Sequence, residues 1–138
     1  MIMIKEAYVS FETAKLLKDK GFPQDPCICN TIYKPKGEFS INAKSFWNPF
    51  AASLLGREYF MAPTQQMAMQ WLREVHDIHF DITPQSWVYP ETIEHLTGWA
   101  WSIFKGRPFD CLYAHMYREE TYERAVESAL NYALNNLV

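Results

Sequence analysis

The sequence predicts an α+β domain: an antiparallel sheet of three or more strands with helices packed on one face. Three observations predict it. Two segments, 64–76 and 121–137, carry apolar residues at helical spacing, each opened by a threonine. Between them lie apolar or alternating stretches at 78–83, 98–104 and 109–117, separated by proline or glycine. The composition suits a packed core. Of 138 residues, 49% are hydrophobic and 21% charged, the reverse of a disordered chain. Two amphipathic helices can cover one face of three antiparallel strands. Residues 62–138 are therefore expected to form an α-β-β-β-α unit. Residues 1–61 add a helix, a hairpin and an aromatic flap, all within one domain.

The first helix starts at Ser10, a good N-cap, and stops at Gly21. Val9 can staple onto Ala14, and Phe22 can fold back on Leu17 as in a Schellman ending. A hairpin is expected over 28–41, turning at Pro35-Lys36-Gly37. Residues 42–60 are too apolar for a free linker, and a short helix over 49–55 fits there. In the second helix Met67, Ala68, Trp71, Leu72 and Val75 form one stripe, with Trp71 as its core anchor. Ile78, Phe80 and Ile82 then face a core while His79, Asp81 and Thr83 face water. Pro84 should end that strand, with Trp87, Val88 and Tyr89 continuing as an edge. The last helix places Tyr122, Ala125, Val126, Ala129, Leu130, Ala133 and Leu137 on one face.

The net charge is −3 and unevenly spread. Residues 1–60 hold 8 Lys/Arg against 6 Asp/Glu, and residues 61–138 hold 5 against 10. A dedicated nucleic-acid binder carries a basic face, because phosphate neutralisation supplies most of the affinity. Cys27, Cys29 and Cys111 are too few for a disulfide framework and are expected to be reduced. The start, Met1 to Glu6, lacks the basic region of a signal peptide. No apolar run approaches the roughly 18 residues of a membrane helix. A soluble, cytoplasmic protein with no membrane contact is expected.

Three blocks of sequence carry a resemblance. They are Val9-Ser10-Phe11-Glu12-Thr13-Ala14-Lys15-Leu16-Leu17-Lys18 with Lys20-Gly21-Phe22; Ala62-Pro63-Thr64-Gln65 followed by 71–79; and Thr121-Tyr122-Glu123-Arg124-Ala125-Val126-Glu127. Together they cover roughly a third of the chain. They resemble a family of small uncharacterised proteins associated with phages and prophages of gut bacteria. The resemblance implies a genetic context and no chemistry.

Cys27 and Cys29 with His76 and His79 have the ligand types of a zinc site. Both spacings are one residue too tight for the usual structural motifs. Asp110, Cys111 and His115 offer nucleophile chemistry on one strand. Cys111 and His115 would share a face but stand about 13 Å apart, beyond hydrogen-bond reach. The carboxylates Glu91 and Glu94, and Glu119, Glu120 and Glu123, suit helix starts. No phosphate-loop, dinucleotide-binding, serine-elbow or metalloprotease motif is present. No metal, cofactor or catalytic residue is expected, and the chain reads as non-enzymatic.

The α-β-β-β-α order is topologically like a double-stranded RNA-binding domain, a module that contacts phosphates with basic residues around its last helix. Residues 119–138 instead hold four glutamates and one arginine, so double-stranded RNA is not an expected ligand. Aromatic residues give the better lead. Trp87, Tyr89, Trp99 and Trp101 form a candidate interaction surface, covered either by residues 46–60 or by another chain. The function expected is an accessory role through contacts with a protein partner or a homo-oligomer. The alternative is a nucleic-acid-binding module using Lys5, Lys15, Lys18, Lys20, Lys34, Lys36 and Lys44.

Overall fold

The computed structural model describes residues 5–25, 28–40, 59–88, 95–106 and 109–138. Residue 41 of the expected hairpin, the helix expected over 49–55, all but the last two residues of the flap expected over 42–60, and the carboxylates Glu91 and Glu94 lie outside the described residues. The fold is α+β, with two three-stranded antiparallel sheets and helices packed against sheet. The chain divides into two compact units, residues 1–68 and 69–138. The division falls inside the second helix.

In the first unit α1 spans Phe11–Asp19. Ser10 caps it, its hydroxyl accepting from the Thr13 N–H at 3.2 Å. The ending is a Schellman motif. The Phe22 N–H reaches the Leu17 carbonyl at 2.8 Å and the Gly21 N–H reaches Lys18 at 3.2 Å, with Gly21 at φ +97°. Leu17, Val9 and Ala14 are fully buried and Phe22 nearly so, as the two apolar contacts predict.

The hairpin is tighter than expected. β1 is Ile32–Tyr33 and β2 is Phe39–Ser40, joined by a turn in which Gly37 has φ +91°. A third strand, β3 at Phe60–Met61, pairs with the other edge of β1 and gives the order β2-β1-β3. Periodicity could not announce it, because two residues carry no period. Backbone bonds tie Val9 to Pro63, Gln65 to Ala7 and Ala62 to Thr31. The Tyr33 hydroxyl donates to the Val9 carbonyl at 2.6 Å. These ties fix the start of α1 beside the start of α2.

Helix α2 runs Gln65–His76, with the Thr64 hydroxyl accepting from the Met67 N–H. Its buried residues are Gln65, Ala68, Met69 and Leu72, spaced i, i+3, i+4, i+7. The expected stripe is thus displaced around the helix. Val75 is 61% exposed, and Trp71 is half-buried against the His76 ring at 4.8 Å, so Trp71 is no core anchor. Asp77, at φ +56°, reverses the chain directly into the second sheet.

That sheet holds β4 (Ile78–Val88), β5 (His95–Lys105) and β6 (Asp110–Glu119) in sequence order. β4 does not end at Pro84. Pro84 stands opposite Trp99, and the ladder continues to Val88 opposite His95. An edge strand tolerates this proline, since its missing N–H can lie on the unpaired side. β5 is central and regular against β4. Against β6 the register slips twice, between Ile103 and Phe104 and between Trp99 and Trp101. Helix α3, Tyr122–Asn136, is capped by Thr121 and packs on all three strands. It buries Ala125, Val126, Ala129, Leu130, Ala133 and Leu134. Among the described residues no helix is long and apolar enough to cross a membrane.

Candidate functional site

Two of the four candidate aromatic residues, Trp99 and Trp101, meet α3. Residues opposite one another in the β4–β5–β6 ladders share a face, so Trp99, Trp101, Ile103, Tyr113 and His115 line one side. Trp101 is 3% exposed. Its indole stacks on His115 with centroids 4.8 Å apart and planes 11° apart. Tyr113 lies at 5.3 Å and Tyr132 of α3 at 5.8 Å. Tyr113 and Tyr132 stack at 4.1 Å. Trp99 meets Tyr122 edge-on at 5.2 Å. Among the described residues, helix α3 is therefore the neighbour of both tryptophans; residues 46–58 of the expected cover lie outside the described residues. Trp87 is half-buried, its Nε1–H donating to the Met116 carbonyl at 3.3 Å. Tyr89 lies outside the described residues.

Two polar features accompany the cluster. The Trp101 Nε1 is buried with no hydrogen-bond partner among the described residues, a costly state for an indole N–H. His115 Nε2 lies 3.4 Å from Glu119 Oε1, both side chains about four-fifths buried. Beside Trp99 a surface cleft of about 380 Å³ is walled by Pro84, Ser86, Thr97 and Glu120. Glu120 pairs with Arg124 at 3.1 Å, one turn along.

The nucleophile constellation is not assembled. Cys111 stands opposite Phe104 and His115 opposite Trp101, so the extra residue at the slip places them on opposite faces. The sequence alone put them on one face, because a bulge cannot be seen in a simple alternation. Cys29 is buried with its Sγ 3.5 Å from the Met61 sulfur, and burial pushes its thiol pKa up. His79 bonds Asp77 at 2.8 Å, and that bond holds the Asp77 carboxyl below its ordinary range. Cys27 lies outside the described residues. No group of three His, Cys, Asp or Glu that could hold a metal occurs among the described residues. Of the lysines, Lys15 pairs with Glu12 at 3.0 Å. Lys18 donates to the Tyr59 carbonyl at 2.8 Å, and burial lowers its pKa.

The structure exposes a different apolar surface, on β6 and the turn before it. Phe109 is 55% exposed, Leu112 42%, Met116 58% and Tyr117 76%. Among the described residues β6 is an edge strand, paired with β5 alone, so no described strand lies along its outer peptide groups. The sequence held one usable signal. From Cys111 to Tyr117 no Lys, Arg, Asp or Glu occurs, in a strand that the helices leave half uncovered.

Compared with known protein families, curated proteins and solved structures, the chain matches none. The double-stranded RNA-binding likeness thus rests on element order alone, which carries no function.

Proposed function

We propose that the protein is a small non-enzymatic accessory protein of phage or prophage origin that acts in the cytoplasm through protein–protein contacts. The contact surface is the edge strand β6 with the turn before it. The observation that carries this reading is the row of exposed apolar side chains, Phe109, Leu112, Met116 and Tyr117. Several large exposed apolar side chains gathered on one edge strand of a small domain are the mark of a binding surface. The genetic context comes from the family resemblance of the three sequence blocks.

The nucleic-acid alternative has weaker support. Lys15 and Lys18 are engaged by Glu12 and the Tyr59 carbonyl. The glutamates at the start of α3 stand where the double-stranded RNA module would need positive charge. The test is photo-crosslinking in cells that express the chain at native level. A photoreactive phenylalanine analogue replaces Phe109 or Met116. Protein adducts at these positions, and not at exposed control positions such as Glu123, are expected. Equal labelling at all positions would overturn the reading.

A further inference from the structure

We infer that the partner of the β6 edge is a second copy of this chain, paired antiparallel about a two-fold axis through Ala114. The inference rests on the protein-contact reading above and names its occupant. In an antiparallel ladder, neighbouring residue pairs alternate between hydrogen-bonded and non-hydrogen-bonded types. A two-fold axis must therefore pass through a pair of identical residues, which limits the registers to those centred on one residue.

Charge and apolar character choose among them. β6 reads Asp110, then seven residues without Lys, Arg, Asp or Glu, then Arg118 and Glu119. Centred on Ala114, the strand places Asp110 opposite the second copy's Arg118, and Arg118 opposite its Asp110. Leu112 then faces Met116, Cys111 faces Tyr117, and Tyr113 faces His115. Centring on Tyr113 would set Asp110 against Met116. Centring on His115 would set Arg118 against Leu112. Only the Ala114 register joins opposite charges at both ends and apolar residues between them. Asp110 has no ion pair among the described residues. Arg118 uses its Nε on the Thr97 carbonyl at 2.8 Å, and its two η nitrogens remain for a carboxylate.

The backbone agrees with this centre. The two slips against β5 flank Tyr113, Ala114 and His115, which stay in regular register with Ile103, Ser102 and Trp101. The result is a continuous six-stranded sheet in which Ala114 meets its own copy, with Cα atoms about 4.5–5.5 Å apart.

The test uses the full chain. Light scattering of the purified protein should give twice the 16.2 kDa chain mass. Asp110→Arg, which sets like charges opposite each other, should weaken the dimer roughly tenfold with unchanged circular dichroism. Ala114→Cys in a Cys111→Ser background should cross-link the two chains on mild oxidation, since its Cα spacing suits a disulfide. Tyr117→Cys in the same background should not. A folded Ala114→Cys protein that stays uncross-linked, or a wild-type monomer at high micromolar concentration, overturns the dimer. If such a monomer still gives adducts in cells, only the choice of a second copy has failed. If it gives none, the contact reading has failed with it.

Discussion

Replacing Trp101 separates packing from hydrogen bonding, because the side chain is well packed and also carries an orphaned donor. A buried aromatic removes about 200 Å² from water, worth about 5 kcal/mol at about 25 cal/mol/Å². The unpartnered Nε1–H returns about 1–3 kcal/mol of that. Trp101→Ala should therefore cost about 3 kcal/mol net, at the low end for a large-to-small change. Trp101→Phe keeps a ring against His115 and Tyr132 and removes the orphaned donor. Its loss of area and its gain in hydrogen bonding nearly cancel, leaving it within about 1 kcal/mol of the parent. The assay is urea unfolding followed by far-ultraviolet circular dichroism. With a slope of about 2 kcal/mol/M, the midpoint should fall by about 1.5 M for the alanine variant and by under about 0.5 M for the phenylalanine variant. Equal losses for the two would refute the reasoning, since the indole N–H would then not be a net cost.

Three further outcomes are expected. Gly98→Ala places a Cβ 2.6 Å from the Glu119 carbonyl oxygen, a backbone clash expected to cost about 1–3 kcal/mol and visible as a lower melting temperature. Ser10→Ala removes the acceptor of the Thr13 N–H and should cost about 1 kcal/mol; a melting temperature within error of the parent would argue that the cap is not formed in solution. Asp77 has a folded pKa below its ordinary 3.8, chiefly through its hydrogen bond with His79. Its contribution is therefore fully present above the unfolded pKa and is lost as the pH falls through the lower folded value. Asp77→Asn should flatten the stability profile below about pH 4, measured by urea midpoints across that range.

The helices were the most legible part of the fold. Ser10, Gly21 and Thr121 act locally, through bonds within one turn of the residue itself, so the sequence alone locates them. The stripe of α2 was harder. Its spacing admits Trp71 or Met69 as the inward residue, and hydrophobicity alone prefers the larger ring. β3 was invisible because Phe60 and Met61 become a strand only when β1 lies beside them. Pro84 misled for a related reason. A proline ends a central strand, but whether β4 is central or an edge is a property of the whole sheet.

The site divides in the same way. The aromatic richness of 87–101 was plain, but which face α3 would cover was not. Tyr132 decides it, and it lies more than thirty positions from Trp101. Cys111 and His115 looked alike in facing until a single extra residue in the β5–β6 ladder turned one away from the other. The exposed row on β6 followed the same rule, since Leu112 and Met116 read as core residues in any strand that is not an edge.

The sequence by itself determined the α+β class, the helix boundaries and the absence of charge between Cys111 and Tyr117, because caps, periods and charge are written within a few neighbouring residues. The tertiary structure alone decided which strands are edges, where the ladder slips and which apolar faces stay uncovered. Each of those depends on pairings between residues far apart in the chain, and no local pattern encodes them.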